Sequence, residues 1–359
     1  MSDFSSWGVT PDLKLKPEIT GVGGNIYSAT HPSISGSYYG YMSGTSMATP
    51  QVTGAMAILL EYLEETFPEL TGEQQRVVAA NIMMSTAKPV IHPNGLEYSP
   101  RNQGAGLVDL VNATTALSYL SNPSASESRP KVEFGDDDDK DGVYEFTFEL
   151  TNMAETDRTF ALSSSLLTET IVSDYFIGNE PYALEAEVVF GTVAQSSVLR
   201  YDFNDDGVIT TADARIVLQF AAGKLLIDEA NAHFAYLDVN ADGNVDAADA
   251  QVITDYCAEL EVNVDLTATI RSSAIINQVT VPAGETVEVS GKITLTAADK
   301  EYLNKFPNGI FVEGFVYANE VGLDTENTAA TRLTMPIMGF YGDWSAPDVF
   351  DRVVMGSYS

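Results

Sequence analysis

The clearest apolar pattern in the chain begins just after residue 50. Val52, Met56, Leu59 and Leu63 recur at the spacing of one helix face, with further apolar residues beside them. This periodicity predicts a buried helix. A second helix is predicted over residues 77–83, and residues 71–74 before it have the form of a capping box.

The periodicity changes from helical to alternating after a linker at residues 122–130, which is rich in Ser and Pro. Tyr144, Phe146, Phe148 and Leu150 alternate with polar residues, which predicts a half-buried strand. Two more strands are predicted at residues 287–295 and 311–317. The acidic run 136–140 before the first strand matches an enteropeptidase cleavage sequence, but it is interpreted as a solvated turn between strands, with a calcium site as the alternative.

An internal repeat with an offset of 36 residues lies between the two groups of strands. Each copy has the pattern of an EF-hand-type calcium loop, with oxygen ligands at positions 1, 3, 5, 9 and 12, a backbone carbonyl at position 7 and Gly at position 6. The ligands predicted in the first copy are Asp202, Asn204, Asp206, the carbonyl of Val208, Thr210 and Asp213. Those predicted in the second copy are Asp238, Asn240, Asp242, Asn244, Asp246 and Asp249.

The apolar residues after each loop repeat in the same register. Ala214 corresponds to Ala250, and Val217 corresponds to Ile253. Solvated Asp and Asn turns without metal would not explain two copies in register. The repeat therefore predicts a duplicated loop-plus-helix unit that binds two Ca²⁺ ions.

The stretch 41–50 predicts a serine on a turn that opens the first helix. Gly44 allows a tight backbone path there, and Ser46 comes next, where helical N–H groups lack partners. A negative charge that develops on an oxygen near Ser46 would be stabilised by those N–H groups. Pro50 is expected in the first turn, where a missing N–H costs little.

Charge and composition narrow the classes of function. The 359 residues include 51 acidic and 18 basic side chains, for a net charge of −33. This balance argues against nucleic acid or an anionic membrane as a partner and is compatible with calcium binding. The single cysteine, Cys257, excludes an internal disulfide. No apolar run approaches the ~20 residues of a membrane span.

Residues 44–50, together with Val52 and Gly54, resemble the catalytic-serine block of the subtilisin-like serine proteases, the subtilases. Residues 4–8, 15–19 and 103–108 resemble segments that flank this block in the family. The resemblance implies that Ser46 is the nucleophile. It also implies an α/β fold, with helices on a mostly parallel sheet, for residues 1–121.

The resemblance places an aspartate and a histidine far upstream of the serine, whereas only 45 residues precede Ser46. His31 lies in a loop without the family's histidine context, and His92 and His233 lie downstream. The chain is therefore interpreted as the C-terminal part of a subtilase catalytic domain together with the domains behind it. A missing N-terminal part would supply the Asp and the His, so this chain is expected to be inactive alone.

The repeat resembles a dockerin, a small helical module that attaches enzymes to cohesin domains of a scaffoldin. An Asp at position 12 and the offset of 36 residues carry this resemblance. It implies partner-binding roles for loop positions 10 and 11. Those positions are Thr211 and Ala212 in one copy and Ala247 and Ala248 in the other.

The strands on both sides of the repeat resemble one fibronectin type III-like β-sandwich, as in lactocepin-type cell-envelope proteinases, and so does the ending 335–344. The chain is therefore expected to be multidomain. The expected domains are 1–121 (subtilase), 128–191 with 263–350 (β-sandwich) and 192–262 (dockerin insertion).

Three functions are compatible with the sequence. The first is an extracellular bacterial serine endopeptidase that cleaves protein or peptide substrates and is tethered through its dockerin. The second is a non-catalytic, calcium-dependent cohesin-binding protein. In the third, calcium serves stability alone.

Overall fold

The computed structural model describes residues 1–173, 176–204, 206–225, 234, 236–321 and 331–345. The chain divides into two compact units, of which one comprises residues 1–190 and 276–359 and the other comprises residues 191–275. The helices of the described residues include none that is both long and apolar enough to span a membrane. The expected domain boundaries stay predictions.

The first unit begins with a small hairpin and a long helix. Strands β1 (Ile26–Ala29) and β2 (Tyr39–Met42) form an antiparallel pair, and the short helix α1 (Pro32–Ser35) lies in the connection between them. Helix α2 (Thr45–Thr66) comes directly after β2. The next helices are α3 (Glu73–Ser85), α4 (Pro100–Gln103) and α5 (Leu110–Thr115).

Helix α2 confirms the predicted periodicity, with two corrections. Leu59 and Leu63 are fully buried, but Ile58 beside them is 50% exposed, so only one face of the helix is buried. Pro50 is the sixth residue of α2, not part of its first turn. It lacks the N–H that would bond to the carbonyl of Ser46, four residues earlier.

Helix α3 forms where the second apolar pattern predicts a helix, but the predicted capping box is wrong. The residue before the helix is Gly72, with φ +56°, and no side chain caps the helix start. Thr71 lies outside the helix because the glycine turns the chain in the left-handed region. The helix starts one residue later than a Thr71 cap would require.

The strand pairing of residues 1–121 differs from the expected parallel sheet. The described part of this range contains the antiparallel β1–β2 hairpin and one parallel bridge between Thr20 and Leu107. Parallel strands need a long crossover connection, whereas the segment between β1 and β2 is short. Strand β3 (Ser118–Ser121) pairs antiparallel with a strand beyond the linker.

The remaining strands build two sheets. They are β4 (Val132–Asp137), β5 (Val143–Asn152), β6 (Arg158–Ser173), β7 (Phe176–Ala183), β8 (Val188–Leu199), β9 (Thr269–Ile276), β10 (Gln278–Val281), β11 (Thr286–Thr294), β12 (Ile310–Val321) and β13 (Arg332–Tyr341). Helix α8 (Ala297–Leu303) lies between β11 and β12. The strands predicted at 144–150, 287–295 and 311–317 are thereby confirmed.

One sheet has the order β10-β6-β12-β13-β4, with β7 also on β6, and the other has the order β3-β5-β11-β8-β9. Both contribute to a single core, in which Phe148 and Val289 of one sheet cluster with Phe160 and Val316 of the other. The alternation along β5 is confirmed, because Tyr144, Phe148 and Leu150 are buried and Glu145 is exposed. The fibronectin type III assignment stays a prediction.

The second unit contains helices α6 (Thr211–Ala221) and α7 (Ala247–Cys257), which start 36 residues apart and have equal length. Val217 and Ile253 are both fully buried in the core of this unit. The helical part of the predicted repeat is therefore confirmed.

Candidate functional site

Ser46 is the second residue of α2 and its side chain is exposed. Gly44, just before the helix, has φ +154°, which favours glycine. The N–H groups of Met47 and Ala48 donate to the carbonyl of Gly44. The N–H groups of Thr45 and Ser46 find no acceptor among the described residues, so they are free to bind an oxyanion.

The glycines of residues 21–24 let this segment run close to the start of α2. Gly44 N–H donates to the carbonyl of Gly23 over 2.9 Å. A Cβ at Gly23 would lie 2.6 Å from the carbonyl oxygen of Gly44, and one at Gly21 would lie 2.8 Å from Val52 Cγ2. The sequence analysis missed this segment, although its three glycines in four residues were the available signal.

Two clefts flank the start of α2. The first has a volume of about 340 Å³ and is lined by Ser46 and Met47 together with Ile26, Ser28 and Met42 of the hairpin. The second has a volume of about 620 Å³ and is lined by residues 21–24 and one side of α2. Ser46 therefore lies at the wall of an open, partly apolar groove.

No described histidine is bonded to Ser46. His31 Nδ1 lies 2.7 Å from Ser33 Oγ and accepts from Ser33 N at the start of α1. His92 lies in a turn, where its ring packs edge-on against Tyr98 at 5.0 Å. His233 lies outside the described residues. The hydroxyl of Ser46 has no hydrogen-bond partner among the described residues, so they provide no base for it.

A buried ion cluster joins the helical segment to the β sheet of the first unit. Arg101 in α4 lies 2.9 Å from Glu313 of β12 and 3.1 Å from Glu169 of β6. Burial opposes the charge of Arg101, but the two glutamates outweigh it and raise the pKa of the guanidinium. This cluster was not predicted from the sequence, because its members are far apart along the chain.

The first predicted calcium loop folds around its own carboxylates. Asp202 accepts from the N–H of Asp206 and of Gly207, at 3.1 and 2.7 Å. Asp213 accepts from the N–H of Phe203 at 2.7 Å and of Thr210 at 2.8 Å. This folding brings both ends of the predicted ligand set together.

The second loop repeats this arrangement. Asp238 accepts from the N–H of Asp242 and of Gly243, at 3.1 and 2.8 Å. Asp249 accepts from the N–H of Asn240 at 3.0 Å and of Asp246 at 2.8 Å. Each of these four bonds has a counterpart 36 residues earlier, because the N–H of Asn204 also donates to Asp213, over 3.2 Å.

The donor set fits Ca²⁺. Asp202, Asp213 and Asp249 are at most 1% exposed, yet no Lys or Arg among the described residues forms an ion pair with them. Buried carboxylates are costly without a cation, and hard oxygen ligands suit Ca²⁺.

The residues predicted to bind a partner, Thr211, Ala212, Ala247 and Ala248, are exposed in the first turns of the two helices.

The predicted solvated turn is confirmed only at residues 138 and 139, because Asp136 and Asp137 end β4 and Asp137 is buried. Asp137 accepts from Tyr144 Oη and from two backbone N–H groups. Burial raises its pKa. Asp139 and Asp141 have carboxylate oxygens within 4.8 Å of Asp137.

Two known families match separate parts of the chain. Residues 1–106 match the Subtilase family, and residues 196–258 match the Dockerin type I domain. Residues 1–106 are thus similar to subtilases, and residues 196–258 are similar to type I dockerins.

The relatives that this chain matches are much longer than the chain itself. Over its whole length it is 28% identical to the PII-type proteinase of Lactococcus lactis subsp. cremoris, of which it covers 14%. Over 49% of its length it is 32% identical to the C5a peptidase of Streptococcus pyogenes, again covering 14% of that protein. A solved ASH / PapD-like domain of human CEP192 aligns with 70% of the chain and 92% of that domain, at 9% identity and a TM-score of 0.25, which does not inform the fold.

Proposed function

We propose that this chain is the serine-bearing part of an extracellular subtilisin-like endopeptidase, tethered to a cohesin through a calcium-loaded dockerin. The observation that carries the proposal is the position of Ser46. It is exposed in the first turn of α2, beside the free N–H groups of Thr45 and Ser46. The family match at residues 1–106 agrees with this assignment.

In the proposed reaction, Ser46 Oγ attacks the scissile carbonyl of a peptide. The oxygen of the tetrahedral intermediate becomes negative and is held by the N–H of Ser46, where the helix dipole adds to the attraction. The hydroxyl needs a histidine base oriented by a carboxylate. We propose that an additional region of the catalytic domain supplies both groups.

The groove around Ser46 fits an extended peptide. The two clefts are lined by apolar side chains, such as Ile26, Met42 and Val52, and by several Ser and Thr residues. A largely apolar lining with interspersed polar groups is typical of substrate grooves. Protein or peptide substrates are therefore proposed.

The second unit is proposed to bind one Ca²⁺ ion in each loop. The ligands are Asp202, Asn204, Asp206, Val208, Thr210 and Asp213 in one site and Asp238, Asn240, Asp242, Asn244, Asp246 and Asp249 in the other. When bound, calcium neutralises the clustered carboxylates. The loops fix the first turns of α6 and α7, whose exposed residues 211, 212, 247 and 248 are the candidates for contact with the cohesin. Both families are compatible with an extracellular or cell-surface location in a bacterium.

Fluorophosphonate labelling of the full-length protein tests the serine. We expect the probe to label the protein and Ser46→Ala to abolish the labelling. Ser33 is an exposed serine of α1 that lies near His31, so Ser33→Ala is the control and should leave the labelling intact. Absence of labelling in the full-length protein would contradict the catalytic proposal.

A non-catalytic, calcium-dependent cohesin-binding role is the alternative. It is favoured by the absence of any hydrogen-bond partner for the Ser46 hydroxyl among the described residues. Peptide hydrolysis by this chain alone, lost in Ser46→Ala, would reject it. If calcium served stability alone, Asp202→Ala with Asp238→Ala would lower the melting temperature and leave cohesin capture unchanged.

A further inference from the structure

The two helices of the repeat present equivalent exposed stripes that differ in chemistry. Each stripe begins at the first turn, next to a calcium loop, and continues along the outer face of its helix. The stripe on α6 consists of Thr211, Ala212, Arg215 and Leu218, and the stripe on α7 consists of Ala247, Ala248, Gln251 and Thr254. The equivalent positions are 36 residues apart, so the repeat itself provides a matched comparison.

Each polar side chain of the α7 stripe donates a hydrogen bond within its own helix. Gln251 Nε2 donates to Asp255 Oδ1 over 2.6 Å. Thr254 Oγ1 donates to the carbonyl oxygen of Ala250 over 2.8 Å. A partner that docked here would have to break these bonds, or it would find fewer free hydrogen-bond donors on the helix surface.

The α6 stripe is not satisfied in this way. Leu218 is 46% exposed, and Arg215 makes no ion pair with any described residue. Arg215 is also the only cation in either loop-plus-helix copy, 202–222 or 238–258. Residues 191–275 contain 14 acidic and 4 basic side chains, so this one cation stands out in a negative surface.

We infer that the dockerin docks in a single orientation, through the α6 stripe and not through the α7 stripe. The partner surface would carry a carboxylate that pairs with Arg215 and an apolar recess that takes Leu218. Arg is enriched among the side chains that dominate the binding energy of protein interfaces. This inference rests on the proposed cohesin docking and names the face that performs it.

The docking face depends on the first calcium loop. Asp213 is both the last ligand of that loop and a capping residue of α6. Its carboxylate accepts from the N–H of Thr210, which precedes Thr211 and Ala212. Calcium in this loop would therefore fix the start of the stripe.

The test uses the full chain, saturating Ca²⁺ and a set of purified type I cohesin domains as probes in calorimetry. Arg215→Gln with Leu218→Thr gives α6 the residues of α7 and should weaken binding by about 10- to 100-fold. Gln251→Ala with Thr254→Ala is the matched control and should change affinity by less than about twofold. Adding Gln251→Arg and Thr254→Leu to the weakened variant should restore binding through α7, which shows that lost binding is not lost folding.

The outcomes separate the two levels of the proposal. Equal affinity of the α6 variant and the parent chain, or an equal loss in the α7 control, would overturn the single orientation while cohesin docking stands. If the parent chain binds none of the cohesins, the proposed docking fails and this inference fails with it.

Discussion

Arg101 Nε lies 2.9 Å from Glu313 Oε2, and the two side chains are only 7% and 2% exposed. The residues are 212 positions apart in the sequence. The same guanidinium contacts Glu169 and lies 3.9 Å from the ring centroid of Phe311. The segment that matches the subtilases is thus joined to the β sheet by a charged contact without access to water.

Removing this contact should destabilise the first unit strongly. Arg101→Ala would leave Glu313 buried without its cation, and such a loss typically costs about 3–5 kcal/mol. Lys88→Ala is the control, because its ion pair with Asp109 has side chains 76% and 22% exposed and should contribute about 0–1 kcal/mol. Urea unfolding measures both, and equal losses would contradict a special role for Arg101.

The stability of the same unit should depend on the protonation state of the Glu169 carboxyl group. Burial raises the pKa of Glu169 above its ordinary 4.5, and Glu313 adds to this effect, although Arg101 opposes it. The folded state therefore keeps the proton to higher pH than the unfolded state does. Its contribution to stability is complete below about pH 4.5 and is lost as pH rises through the folded-state pKa.

Glu169→Gln isolates this titration, because glutamine cannot ionise. The unfolding free energy of the parent chain minus that of the variant should fall as pH rises above about 4.5 and then level off. Urea unfolding of both proteins at several pH values provides the measurement. A difference that rises with pH in this range would show that the pKa of Glu169 is lowered.

Calcium should stabilise the second unit by mass action. Ca²⁺ at about 100 times its Kd would add about 2.7 kcal/mol for each site that binds only the folded form. Calorimetry should show two sites in the parent chain, one in Asp213→Ala and none when Asp249→Ala is added. Asp265→Asn is the control, because Asp265 bonds to Thr267 outside both loops and should leave both sites intact.

A methyl group at Gly23 should disturb the start of α2. Its Cβ would lie 2.6 Å from the carbonyl oxygen of Gly44, and such overpacking costs about 1–3 kcal/mol. Gly54→Ala is the opposite case, because no atom lies within 4 Å of its added Cβ. It should stabilise α2 by about 0.5–1 kcal/mol. Thermal unfolding distinguishes the two, and destabilisation of equal size by both would contradict a specific clash at Gly23.

Several elements could be predicted from the sequence because their signals are local. The spacing of Leu59 and Leu63 marks the buried face of α2, and the alternation of Tyr144 and Phe148 marks β5. The offset of 36 residues predicts α6 and α7 from the sequence alone. The capping box predicted at residues 71–74 was wrong, because the turn at Gly72 excludes Thr71 from the start of α3.

The sequence by itself therefore determined the serine turn, the strands β5, β11 and β12, the repeat and its acidic loops, because periodicity and residue spacing act over short distances in the sequence. Only the tertiary structure decided which distant groups meet. It placed Gly23 against Gly44, paired Arg101 with Glu313 and left Arg215 exposed while Gln251 bonds to Asp255. Such contacts depend on how folded elements pack, and neither periodicity nor composition encodes which buried charge faces which partner.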